Sequence, residues 1–173
     1  GEADREQLVA LLVDRLADYR AGITRASSEA AASAITAILA RHAARQVVVP
    51  QGFPESWLPG DVQVVGDTPQ LFAAELDALD SVLTTSAIAI AETGTIVLDA
   101  GAGMGRRALT LVPDLHILVV RAADVVRGVP EALVRDAHHL VLLLGRMNLG
   151  DRERLHAEDA REDGRDARIA ARD

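Results

Sequence analysis

Residues 86–120 read SAIAIAETGTIVLDAGAGMGRRALTLVPDLHILVV, and the fold turns on this stretch. It holds three apolar segments, 87–91, 95–98 and 115–120. Between them lie Glu92-Thr93-Gly94, the run Gly101-Ala102-Gly103-Met104-Gly105, and the pair Arg106-Arg107. Short apolar runs bounded by turn residues read as buried strands. The polar residues then fall at strand ends, where open α/β sheets bind their ligands.

Working outward, helical patterns alternate with further apolar runs. Leu8, Leu11, Leu12, Leu16 and Tyr19 recur at helical spacing behind the acidic start Asp4-Arg5-Glu6, which predicts an amphipathic helix ended by Gly22. Ser27 or Ser28 is placed to cap a second, Ala-rich helix over 30–44, with Ile35, Ile38 and Leu39 as its apolar face. Gln46-Val47-Val48-Val49-Pro50 predicts a strand, 51–60 a loop carrying Trp57, and 62–65 a second short strand. Asp67-Thr68-Pro69 is expected to open a third helix, with Thr68 as cap and Pro at the first helical position. A fourth begins at Gly128-Val129-Pro130 and runs through Leu133, Val134 and Ala137. Helices alternating with short strands argue for a mainly parallel sheet covered by helices.

The chain divides into an α/β domain over 1–150 and a charged tail over 151–173. The tail is rich in Asp, Glu, Arg and Ala, with Leu155 and Ile169 its only large aliphatic residues. Pairs such as Glu158 with Arg161 suit an exposed helix.

Composition narrows the function. The net charge is −8, and Tyr19, Phe53, Trp57 and Phe72 are the only aromatic residues, so neither a phosphate-binding surface nor a base-stacking platform is available for nucleic acid. With no Cys, thiol nucleophiles, disulfides and thiolate metal ligands are excluded. No apolar run is long enough to cross a bilayer, and a cytoplasmic location is expected. No two His residues show the four-residue spacing of a zinc site.

Glu92, Thr93 and Gly94 admit two readings with equal weight, a ligand-facing carboxylate and hydroxyl, or a hairpin turn. The glycines at 101, 103 and 105 miss the dinucleotide spacing, and the chain has no Lys for a phosphate loop, which favours a flexible loop. Arg106 and Arg107 are suited to clamp a carboxylate or phosphate. His116, entering an apolar strand, reads as a core or strand-edge histidine. No Gly-x-Ser-x-Gly elbow is present; Thr84, Thr85 and Ser86 read as cap or turn residues. Glu92 with Asp99 is the strongest carboxylate pair for acid–base work.

The combination of Ala91-Glu92-Thr93-Gly94-Thr95, Arg107-Ala108-Leu109 and Leu111-Val112-Pro113-Asp114-Leu115-His116 resembles the LUD domain, the family of lactate utilization protein C. The resemblance implies an α/β three-layer sandwich like that of ribose-phosphate isomerases and CoA-transferases. It implies a non-redox subunit or small-anion-binding component in the oxidation of L-lactate to pyruvate, beside partners that carry iron–sulfur clusters. The positions it marks are Glu92, Thr93, Gly94, Arg107, Pro113 and His116. After its last apolar run the family continues with Gly-Pro-Ser-x-Thr-x-Asp-Ile, whereas here Gly145 is followed by Arg146-Met147-Asn148-Leu149 and the charged tail. Two other readings stay open, an enzyme on a phosphorylated sugar or acyl-CoA, and a structural protein that pairs through its Ala-rich helix or its tail.

Overall fold

The computed structural model describes residues 1–135. The expectations for the fourth helix at Ala137, for the segment from Gly145 to Leu149 and for the tail at 151–173 lie outside them. The chain begins with helices α1 (Glu2–Asp18) and α2 (Ala31–Arg41), then strand β1 (Gln46–Val49), a 3-10 turn at Glu55–Trp57, and β2 (Gln63–Gly66). Next come α3 (Ala73–Asp77), β3 (Ser81–Thr85), β4 (Ile88–Ile90), β5 (Thr95–Val97) and α4 (Arg107–Leu111). The described part ends with β6 (Leu115–Val119), a 3-10 turn at Ala122–Asp124, β7 (Val125–Val126) and α5 (Val129–Arg135).

The expected mainly parallel sheet is two sheets. The first is four-stranded, in the order β2-β1-β3-β6, and every neighbouring pair is parallel. The second has the order β5-β4-β7, with β4 antiparallel to β5 and parallel to β7. Thr84 and Thr85, expected in a cap or turn, instead lie in β3 at the interior of the first sheet. Their β-branched side chains suit the pleat, and Val82 and Leu83 before them are fully buried.

Alternation along each strand sends its side chains to two cores. On the first sheet Val47, Val49, Leu83 and Ile117 pack with Ile35 and Leu39 of α2. On the opposite face Val48 and Val82 pack with Leu76 of α3 and Leu109 of α4. The second sheet likewise meets α1 through Leu12, Ala89 and Val125, and α5 through Ile88, Ile90, Val126 and Ala132. Each fully buried aliphatic side chain contributes roughly 1.5–3 kcal/mol, so these packed faces fix both sheets.

Two helix starts differ from the sequence expectation. Neither Ser27 nor Ser28 caps α2, whose N-cap is Ala30; Ser27 Oγ accepts the Ala30 N–H in the preceding turn at 3.4 Å. The third helix does not begin at Thr68. Asp67 accepts the Leu71 N–H at 2.9 Å and is gripped by Arg106, so the chain turns there and α3 starts only after Phe72. Glu75 Oε2 then accepts the Phe72 N–H at 2.6 Å, occupying one donor at the helix start.

Candidate functional site

In the first sheet, β1 connects outward to β2, and the chain then crosses back to β3 on the other side of β1. A crevice forms at the carboxyl ends of strands where the winding reverses in this way. A cavity of about 540 Å³ lies there. Pro54 and Trp57 reach it from the segment after β1, and Thr85 and Ser86 from the end of β3. Its other sides are formed by Asp99 and Met104 after β5, and by Arg121 and Asp124 after β6. The second sheet closes the base, because Ala87 N–H bonds to Val97 O at 3.0 Å and brings the start of β4 to the end of β5.

The glycine run is a wall of this cavity. Gly103 N–H donates to Gln51 O at 2.9 Å, and Gly103 O accepts the Thr85 N–H at 2.8 Å, so the run bridges the exits of β1 and β3. Gly103 has φ +76°, and a Cβ there would lie 2.7 Å from Thr85 Oγ1 and 3.3 Å from Gly52 O. The expected flexible loop is therefore pinned at its middle residue by two backbone hydrogen bonds.

Four polar groups in the cavity keep bonding capacity that the described residues do not use. Ser86 Oγ is buried and has no partner among them. Thr85 Oγ1 has none there either, its backbone N–H being the group that meets the glycine run. Asp99 spends Oδ1 on the Gly101 N–H at 2.8 Å and keeps Oδ2. Arg121 gives Nε to Asp124 Oδ2 at 2.6 Å and keeps both terminal nitrogens. Two hydroxyl residues, a carboxylate and an arginine thus line the same cavity as the apolar Ile88 and Met104. Arg supplies charge-assisted donors for an anion, and hydroxyls and a carboxylate oxygen supply partners for ligand hydroxyl groups.

Asp99 apart, the residues marked by the sequence lie elsewhere and apart from one another. Glu92, Thr93 and Gly94 form the turn between β4 and β5, where the Glu92 carbonyl accepts from Arg15 Nε at 3.2 Å and Thr93 Oγ1 donates to Thr95 Oγ1 at 2.8 Å. Gly94 has φ +67°, and a Cβ there would lie 3.0 Å from Arg15 Cβ, a tight contact. Arg107 is exposed at the start of α4, directly after the glycine run. His116 sits on β6, and its Nε2 shares a 2.7 Å hydrogen bond with the buried Thr84 Oγ1. Burial pushes the His116 imidazole down to about 4, so it is neutral at pH 7. Arg106 is held by Asp67 through two parallel bonds, Nε–Oδ2 at 2.8 Å and Nη2–Oδ1 at 2.9 Å. That pairing holds the Asp67 carboxyl below the usual carboxylate range, and Arg106 has a structural partner in place of a ligand. Ser86, Thr85 and Arg121 line the cavity without having been marked as ligand-binding candidates in the sequence; the available signal was their place just after apolar runs.

A family model described as the LUD domain matches residues 4–140. This chain belongs to the LUD domain family. It is 42% identical over 160 residues to lactate utilization protein C of Deinococcus radiodurans, a match covering 89% of this chain and 74% of that protein. The crystal structure of a DUF162 family protein from Deinococcus radiodurans is also similar, at 43% identity and a TM-score of 0.76. That match spans 80% of this chain and 87% of the other. The LUD domain reading made from the Glu-Thr-Gly, Arg and Pro-Asp-x-His segments therefore holds. Among the described residues no helix is long and apolar enough to cross a membrane, and no group of three or more His, Asp or Glu is arranged to hold a metal ion.

Proposed function

We propose that this LUD domain protein is a non-redox, organic-anion-binding component of an L-lactate-oxidising system, with the cavity at the strand ends as its binding site. The observation that carries the reading is the unused bonding capacity of Ser86, Asp99 and Arg121 in one cavity. Relatedness to a lactate utilization protein C supports the link to lactate. Oxidising L-lactate to pyruvate releases two electrons and two protons, and a chain without Cys has no thiolate to ligate an iron–sulfur cluster. The electron acceptor then belongs to partner proteins carrying such clusters. Helices on both faces of the parallel sheet support, as part of the same proposal, a three-layer arrangement of the ribose-phosphate isomerase and CoA-transferase kind. Arg107 enters it as a second cation, since it opens the helix that follows the cavity wall. An acyl-CoA substrate fits less well, because CoA carries several phosphate charges and the cavity offers one Arg.

The test is affinity capture of the full chain from the native extract, with bound proteins identified by mass spectrometry, beside titration of the purified chain with organic anions. Recovery of iron–sulfur oxidoreductases, and anion binding weakened about tenfold by Arg121→Gln, are the expected results. Capture without such partners overturns the lactate assignment. Anion binding indifferent to Arg121→Gln, or lost instead on Arg107→Ala, moves the site away from the cavity.

A further inference from the structure

The cavity offers more room and more polar groups than a three-carbon acid uses. At roughly 30 Å³ for each water-sized group, the six or so heavy atoms of lactate occupy about 180 Å³, and a six-carbon sugar acid about 390 Å³. The cavity holds about 540 Å³. Its charged lining groups are Arg121, ion-paired to Asp124 at 2.6 Å, and Asp99, so the free edge of Arg121 is the one positive contact for a ligand and serves a single anionic group. The remaining capacity belongs to hydroxyl chemistry. Asp99 Oδ2 accepts only, while Ser86 Oγ and Thr85 Oγ1 both donate and accept. A lactate molecule has one hydroxyl and leaves most of these groups unmet.

We infer that the cavity binds a polyhydroxylated organic anion larger than lactate, a sugar acid or a sugar monophosphate, with its one anionic group on Arg121 and its hydroxyls on Asp99, Ser86 and Thr85. This rests on the reading of the cavity as the anion site. It goes further in separating the cavity's own ligand from the three-carbon acid that the system oxidises. Ser86 is the sharpest reporter, because its Oγ has no protein partner among the described residues and its loss leaves the packing otherwise intact.

The experiment is calorimetric titration of the full chain with D-gluconate, ribose 5-phosphate, uncharged D-glucitol and L-lactate, repeated on Ser86→Ala and Arg121→Gln. The expected result is binding of gluconate or ribose 5-phosphate at least tenfold tighter than L-lactate. Ser86→Ala is expected to weaken it about three- to tenfold, and Arg121→Gln tenfold or more. Preference between the two anions identifies the carboxylate or the phosphoryl source. L-lactate binding as tightly as either, with the same sensitivity to both variants, overturns the size inference while the anion site stands. Glucitol binding as tightly as gluconate overturns the role of Arg121. If nothing in the panel binds, both the inference and the reading of the cavity as an anion site fail.

Discussion

Ser86→Ala and Ser81→Ala are the same substitution on the same strand and its exit, and the structure gives them opposite signs. Ser81 Oγ is fully buried and donates to Gln46 O at 3.0 Å, tying β3 to the start of β1. Removing it deletes a buried hydrogen bond and costs about 1 kcal/mol. Ser86 Oγ is 4% exposed as a residue and has no protein partner among the described residues. Holding a hydroxyl in that state costs roughly 1–3 kcal/mol, so Ala at 86 is expected to stabilise the ligand-free protein by about 1 kcal/mol. For a chain of this length that is a rise of about 2–4 °C in Tm, against a fall of similar size for Ser81→Ala. Thermal and urea unfolding of the two variants beside the parent measures both. Added ligand must then raise the Tm of the parent more than that of Ser86→Ala, because binding to the folded state stabilises in proportion to affinity. A Ser86→Ala protein destabilised by 1 kcal/mol or more would show that the hydroxyl already holds a structural bond, and the argument for a ligand-facing group would collapse.

Two further outcomes follow from the geometry. Gly103→Ala places a Cβ 2.7 Å from Thr85 Oγ1 at a residue with φ +76°, so it is expected to cost about 2 kcal/mol or more and to loosen the cavity wall; urea unfolding unchanged from the parent would contradict the bridging role of the glycine run. His116, pushed down to about 4 by burial, takes up a proton in the unfolded chain before it does so in the folded one. Its contribution is full above pH 6.5 and is lost as pH falls toward 4, at most about 3 kcal/mol over that range. His116→Asn should flatten the stability profile between those values, and a parent profile flat from pH 6.5 to 4 would refute the buried neutral state. Asp67, depressed by Arg106, contributes above the usual carboxylate range and loses that contribution below it, so a second fall at lower pH is expected in both proteins.

Much of the architecture was legible because it is written locally. The β-branched run at Gln46–Val49, the hairpin around Glu92-Thr93-Gly94 and the strand entered by His116 all carry their signal within a few residues. What the pattern could not carry is pairing. The split into two sheets depends on β4 leaving the parallel sheet to meet β5 and β7, and no residue in 86–98 specifies a partner around residue 125. The five-residue α4 and two-residue β7 are likewise too short to show a period.

The proposed cavity site was hard to read in the sequence for the same physical reason, seen from the side of charge. Sequence presents Arg106 and Arg107 as equivalent cations and gives Arg121 no special mark. Folding makes them unequal through a partner 39 residues away, since Asp67 satisfies Arg106 with two hydrogen bonds and removes it from ligand chemistry. Arg121 is only half satisfied, by a neighbour three residues on, and keeps the edge that an anion can use. Ser86 follows the same logic among hydroxyls. Ser81 and Thr84 are each committed to a bond across the sheet, whereas Ser86, one step beyond the strand, is left with its capacity at the cavity. The proposed site therefore consists of polar groups that the fold does not consume, a property of distant pairings that becomes visible only once the chain is folded.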